Sequence, residues 1–142
     1  MYKFARIDLS KTNYNPFIMG RVVEDPNPKE LLEIYRKYCV YKKFEGPYPY
    51  YPEHFSNGTK VIGYYDENKM VAWSLYDVIN DEVVDACQFA WDYANPEYRL
   101  GDVSMKHECW YWKKHGYKYI ILGHAQKYKE GWDGYEILPT ME

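Results

Sequence analysis

The stretch that decides the fold is residues 89–123, FAWDYANPEYRLGDVSMKHECWYWKKHGYKYIILG. It opens with an aromatic strand, which Asn95-Pro96 ends. Gly101-Asp102 then starts a helix that we expect from about 103 to 115, with Asp102 as its N-terminal cap. An apolar strand follows at 117–123. Because a helix connects the two strands, we expect them to lie side by side and parallel in one sheet.

Upstream of this stretch the sequence predicts an antiparallel meander. Its strands are expected at 59–66, 69–79 and 82–93, the last of which includes the start of the aromatic strand. Tight turns at Glu67-Asn68 and Asn80-Asp81 join them, as expected for hairpins.

The N-terminal part predicts a short strand at 2–9 and a helix that Asn27 caps and Pro28 begins, running to about residue 40. A last strand is predicted at 135–138. This order is typical of the α/β (α+β) class, with a mixed, mostly antiparallel sheet and helices on both faces. We expect residues 1–142 to form a single domain.

The composition is that of an ordinary globular protein. Charged residues make up 27% and hydrophobic residues 46% of the 142 residues, with a net charge of −3. The chain has neither an apolar run of roughly 18 residues nor a signal peptide, so we expect a cytoplasmic protein without a membrane partner. Three scattered cysteines predict unpaired thiols. Tyrosine is the commonest residue, at 18 copies, which favours either a ring-rich core or an aromatic-lined cleft.

Residues 89–123 resemble the C-terminal domain of arginyl-tRNA–protein transferases, which has the acyl-CoA N-acyltransferase (GNAT) fold. Ala94 is an insertion relative to the family motif, and Lys127, Tyr128 and Lys129 could correspond to its Lys and Tyr-Lys. The resemblance implies transfer of an acyl or aminoacyl group to an amine. The alternative is a non-catalytic GNAT-like module that binds a protein or peptide through an aromatic cleft. The matching positions are Tyr93, Asn95, Pro96, Leu100, Gly101, Ser104, Gly116, Tyr117, Tyr119, Leu122 and Gly123.

The start of the second helix is the predicted donor site, because a helix N-terminus attracts anions. The resemblance implies that the donor is acyl-CoA or an aminoacyl-tRNA. Val103 and Asp102 depart from the coenzyme A pattern, since Val103 adds a Cβ and Asp102 a negative charge. A capped helix with no ligand is the alternative. The predicted donor-binding residues are Trp91, Tyr93, Arg99, Gly101, Asp102, Val103 and Ser104.

The resemblance also implies the catalytic and acceptor residues. Asp92 is the predicted general base toward the amine, and Tyr128 the acid that protonates the leaving group. A solvated carboxylate and an ordinary tyrosine are the alternatives. Tyr48, Tyr50 and Tyr51 lie in the proline-rich segment 46–55 and are predicted to contact a peptide or small amine, or else to pack as a simple loop. No metal is expected, because the spacing of His107, Cys109 and His115 matches no zinc pattern.

Overall fold

The computed structural model describes residues 4–42, 59–92, 99–124 and 131–138. These segments form seven strands and two α-helices, with a short 3-10 helix at Leu9–Lys11 after the first strand. In chain order the elements are β1 (Phe4–Asp8), β2 (Gly20–Val23), α1 (Pro28–Lys42), β3 (Thr59–Asp66), β4 (Lys69–Val78), β5 (Val83–Trp91), α2 (Leu100–Lys114), β6 (Tyr119–His124) and β7 (Tyr135–Ile137).

All seven strands belong to one sheet, in the order β2-β3-β4-β5-β6-β1-β7. Among the described strands, only the contact between β5 and β6 is parallel, and α2 connects these two strands. The other five contacts are antiparallel. The expected mixed, mostly antiparallel sheet is confirmed, including the parallel pairing across the helical crossover.

The two helices cover opposite faces of the sheet. Leu31 and Ile34 of α1 pack with Trp73 in one buried cluster. Trp112 of α2 packs with Tyr64 and other buried residues in a second cluster on the other face. This arrangement confirms the prediction of helices on both faces.

The local signals for α1 and for the turn after β4 are also confirmed. The Asn27 side-chain oxygen accepts a hydrogen bond of 3.0 Å from the backbone N–H of Lys29, and α1 begins at Pro28. The Asn80 side-chain oxygen accepts from the backbone N–H groups of Glu82 and Val83 at 2.8 and 2.9 Å. Short polar side chains of this kind satisfy backbone donors that no helix or ladder partner reaches.

The predicted start of α2 is wrong. The helix begins at Leu100, and its N-cap is Arg99, a non-glycine residue in the left-handed region (φ 51°) with no side-chain capping bond. Asp102 therefore lies inside the first turn, where its carboxylate pairs with Lys106 at 3.2 Å. The left-handed residue turns the chain into the helix earlier than a conventional cap at Asp102 would.

Strand β2 was not among the predicted elements. It is a four-residue edge strand paired with β3. A strand this short shows no recognisable alternation of apolar and polar residues in the sequence. Its first residue, Gly20, lies against the ring of His107 in α2, and a Cβ on Gly20 would be 2.6 Å from Nε2. A side chain at this position would therefore force the His107 ring to move.

The cysteines are free thiols, as expected: Cys39 and Cys109 are buried and Cys87 is exposed. Neither of the described helices has the length and apolar character of a segment that crosses a bilayer.

Candidate active site: a wedge between two parallel strands

The site is a gap that opens between β5 and β6. Their parallel pairing covers only Val83–Asp85 against Tyr119–Ile121. Beyond these residues each strand continues, β5 to Trp91 and β6 to His124, with no ladder between them in the described chain. We call this gap, flanked by 86–91 and 122–124, the wedge.

Each wall of the wedge carries a β-bulge just beyond the last parallel pair. On β5, Gln88 pairs with Leu75 and Ala86 with Tyr76, so the extra residue is Cys87. On β6 the corresponding extra residue is Leu122. A bulge bends its strand and increases the local twist, so these two irregularities lie where the strands must diverge.

The second bulge explains why Gly123 is a glycine. On β6, Gly123 pairs with Ala5 and Ile121 with Arg6, and Leu122 lies between these pairs. Gly123 has φ of +78°, a conformation that residues with a Cβ rarely adopt. The glycine therefore allows the backbone of β6 to turn at the edge of the wedge.

Backbone amides of β5 face the wedge. Asp92 donates its N–H to the carbonyl of Val71 at 2.8 Å, which directs the backbone groups of Asp92 toward β4. Because these directions alternate along a strand, the N–H and C=O groups of Phe89 and Trp91 are directed away from β4, toward the side where β6 has diverged. Backbone N–H groups in this position can polarise the carbonyl of a bound donor.

The first turn of α2 lies at the mouth of the wedge. Trp91, only 5% exposed, has its indole nitrogen 3.9 Å from where a Cβ on Gly101 would be. The N–H groups of Asp102 and Val103 donate to the Arg99 carbonyl at 3.0 and 3.1 Å. Among the described residues, none accepts from the N–H groups of Leu100 or Gly101. These two N–H groups lie at the positive end of the helix dipole, where negative charge is favoured.

The predicted donor residues differ in what they offer to a ligand. Arg99 and Gly101 are exposed. The Asp102 carboxylate is partly offset by Lys106. Ser104 is buried, at 3% exposure, and its carbonyl accepts a hydrogen bond of 3.0 Å from the hydroxyl of Tyr64. Ser104 therefore anchors the first turn of α2 to the sheet and does not lie on the exposed surface of that turn.

The Asp92 carboxylate is directed to the α1 side of the sheet. It pairs with the ammonium of Lys37 at 3.4 Å, and the side chain of Asp92 is only 11% exposed. The alternative of a freely solvated carboxylate is therefore wrong, while the role of general base stays a prediction. The remaining predicted site residues lie outside the described residues, and their roles also stay predictions: Tyr48, Tyr50, Tyr51, Tyr93 and Tyr128.

Sequence reasoning did not single out Glu108, which the structure places in the interior. Its carboxyl oxygens lie within hydrogen-bond distance of the hydroxyl groups of Tyr64, Ser74 and Tyr76. The signal was present in the spacing, because Leu100, Ser104, Glu108 and Trp112 recur at intervals of four and therefore share one helix face. Because this face packs against the sheet, a carboxylate on it is buried together with its apolar neighbours.

The sheet, the wedge and the helix at its mouth define a GNAT-like fold, and solved structures support this. The structure of L-PGS from Bacillus licheniformis is similar with a TM-score of 0.69 at 15% identity, covering 87% of this chain and 46% of that one. A GCN5-related N-acetyltransferase from Kribbella flavida is similar with a TM-score of 0.56 at 12% identity, covering 95% and 53%.

A third similar structure is the C-terminal domain of a putative lysylphosphatidylglycerol synthetase from Agrobacterium fabrum. Its TM-score is 0.67 at 14% identity, covering 87% of this chain and 47% of that one. The chain thus spans about half the length of the structures it matches. No curated protein sequence matches it significantly.

Residues 8–138 match the family model described as arginine-tRNA-protein transferase, C terminus. The chain belongs to this family.

Proposed function

We propose that the protein transfers an aminoacyl or acyl group to an amine acceptor, with the reaction centred in the wedge. The observation that carries the proposal is the divergence of β5 and β6 immediately beneath the N-terminus of α2. An ester or thioester donor has a phosphate-bearing part and a reactive carbonyl, and the wedge offers a position for each. Membership of the family supports the same chemistry.

The donor would lie with a phosphate at the N–H groups of Leu100 and Gly101 and its carbonyl along the backbone of Phe89 and Trp91. Between the two donor classes we favour aminoacyl-tRNA. The family description supports this choice, and the half-buried Asp102 opposes the more highly charged pyrophosphate of coenzyme A.

The reaction balances as an aminolysis of an ester. The amine nitrogen attacks the donor carbonyl, an amide bond forms, and the bond to the terminal ribose oxygen breaks. In our proposal Asp92 takes the proton from the amine and Tyr128 returns one to the ribose oxygen. Lys37, which pairs with Asp92, would fix the direction of that carboxylate until the amine arrives.

The test uses Gly101→Ala, with Gly131→Ala as its matched control. The structure leaves room for a Cβ at both positions, and alanine favours helix over glycine by up to about 1 kcal/mol, so the fold should persist. If the donor backbone approaches Gly101, binding of aminoacyl-tRNA should weaken at least about tenfold, equivalent to about 1.4 kcal/mol. The control should bind as the wild type does.

Binding would be measured by calorimetry with charged tRNA, uncharged tRNA and acetyl-CoA, and transfer with a labelled donor and a peptide bearing a free N-terminal amine. Tight binding of acetyl-CoA alone would replace aminoacyl-tRNA with a coenzyme A donor. Absence of both binding and transfer would refute the transferase proposal and favour the non-catalytic peptide-binding module.

A further inference from the structure

Glu108 is a carboxylate held in the interior by hydroxyl groups alone. It lies in the middle of α2 at 2% exposure. Its Oε2 lies 2.5 Å from the Tyr64 hydroxyl oxygen and 2.7 Å from that of Ser74, and its Oε1 lies 2.5 Å from the Tyr76 hydroxyl oxygen. No ion pair in the described part of the chain includes Glu108. We call these four residues the Glu108 cluster.

Counting protons shows which form of Glu108 fits this cluster. The Tyr64 hydroxyl also lies 3.0 Å from the Ser104 carbonyl, so the cluster has four polar contacts but only three hydroxyl protons. A carbonyl and an ionised carboxylate are both acceptors only. All four contacts become hydrogen bonds only if Glu108 carries the fourth proton and donates it to Tyr64, which in turn donates to Ser104.

We propose that Glu108 carries a proton in the folded protein below neutral pH and is a positioning residue, which holds the first turn of α2 over the wedge through Tyr64 and Ser104. Ser104 is the C-terminal residue of the segment 101–104 predicted to bind the donor phosphate. After loss of the proton, the Tyr64 hydroxyl would donate to the Glu108 carboxylate. The hydrogen bond from Tyr64 to the Ser104 carbonyl would then be lost. The first turn of α2 would then be less firmly held.

The surroundings of Glu108 favour the neutral form. Burial raises its pKa from 4.5 to about 7, against the opposing effect of its hydroxyl partners. On the facing strands the titratable groups are Tyr64 and Tyr76, whose own pKa values burial raises well above 10.0. Lys60 of β3 donates to the Tyr111 hydroxyl at 2.9 Å.

The neighbours of Glu108 on α2 leave it without a compensating charge. The adjacent Cys109 is a buried thiol, and burial keeps it protonated by raising its pKa. His107 receives the backbone N–H of Phe17 on its Nδ1, and burial lowers the pKa of this imidazole. A cation that would hold Glu108 ionised is therefore missing from these described neighbours.

The first test uses the free protein and does not depend on any donor. The side-chain carboxyl carbons of glutamate are observed by NMR while the pH is raised from about 5 to about 9, a range that covers the shifted group and excludes ordinary glutamates. We expect one carboxyl to titrate near pH 7, with the amide signals of Val103 and Ser104 moving at the same midpoint. Both changes should disappear in Glu108→Gln and persist in Glu82→Gln, which removes an exposed carboxylate.

Tyr64→Phe separates positioning from simple burial. Without the phenol, the link from Glu108 to Ser104 is broken, so Glu108 should still titrate while the Val103 and Ser104 signals no longer follow it. This variant also keeps the proposal testable if Glu108→Gln does not fold. An ordinary glutamate midpoint of about 4.3, or helix-start signals that still follow the titration in Tyr64→Phe, would overturn the inference.

A second test, which rests on the proposed function, measures donor affinity against pH. An anionic donor at Leu100 and Gly101 disfavours a second negative charge on Glu108, so donor binding should raise the protonation midpoint of Glu108. Affinity should therefore fall, by up to about tenfold per pH unit, between the midpoints of the free and bound protein in the wild type and show no such fall in Glu108→Gln. Donor binding with the same pH slope in both variants contradicts the inference, whereas no donor binding at all contradicts only the proposed function.

Discussion

Gly20 of β2 contacts α2, and Gly101 lies within α2, but the two positions leave different amounts of space for a side chain. A Cβ on Gly20 would be 2.6 Å from the His107 ring, whereas a Cβ on Gly101 meets only the indole nitrogen of Trp91 at 3.9 Å. We expect Gly20→Ala to lower the free energy of unfolding by about 1–3 kcal/mol, because the crowded ring must move. Gly101→Ala should leave it unchanged or raise it.

Urea unfolding followed by tyrosine and tryptophan fluorescence would measure both effects. Equal stability of Gly20→Ala and the wild type would show that the contact with His107 relaxes freely.

At the scale of the residue, the sequence was informative where a side chain hydrogen-bonds to nearby backbone, as Asn27 and Asn80 do. Glu108 escaped notice because its partners come from two distant strands, and one sequence does not show which strands face a helix.

At the scale of the element, α2 carries two adjacent buried groups whose protonation affects stability in opposite directions. Burial lowers the pKa of His107 below its ordinary 6.5, so its stabilising contribution is present above that value and is lost as the pH falls toward its folded-state pKa. The pKa of Glu108 is raised to about 7, so its contribution is full below 4.5 and is lost as the pH rises through about 7.

These shifts predict opposite pH slopes for two variants. Relative to His107→Asn, the wild type should lose stability as the pH falls below about 6.5. Relative to Glu108→Gln, it should lose stability as the pH rises from about 4.5 to about 7. Urea unfolding of the three proteins at a series of pH values would measure both differences, and slopes of the same sign would refute the assignment.

The sequence predicted the existence and direction of α2 but not its first residue. The end is marked by Gly116, which has φ of +89° as expected after a helix C-terminus. The start depends on the left-handed conformation of Arg99, for which arginine has no special preference. Such a conformation is imposed by the surrounding structure, so the sequence alone does not predict it.

At the scale of the whole molecule, one sheet separates two buried clusters, one beneath each helix. Ile7 belongs to the α2 side and Ile34 to the α1 side. We expect Ile7→Val and Ile34→Val each to lower the free energy of unfolding by about 0.5–1.5 kcal/mol. The double variant should show their sum within about 0.5 kcal/mol, because the two sites belong to separate clusters on opposite faces of the sheet.

Each variant should also unfold in one transition, when followed by circular dichroism and by fluorescence. Two separate transitions would mean that the two faces are independent units, against the expectation of a single domain.

The meander and the helical crossover were predictable because their partners are close in the sequence. The position of β1 was not, since nothing local shows that an N-terminal strand pairs with β6 and β7.

That position has a consequence for synthesis on the ribosome. The strand β1 is made before the meander, yet its partners β6 and β7 are made after it: Phe4 pairs with His124 and Ala5 with Ile137. While the meander of β3, β4 and β5 can assemble during translation, β1 must wait with both edges unpaired until β6 and β7 have emerged. A nascent chain of this protein therefore carries an exposed strand while the residues between Asp8 and Tyr119 are made, and both edges of that strand are open to unintended pairing until its partners arrive.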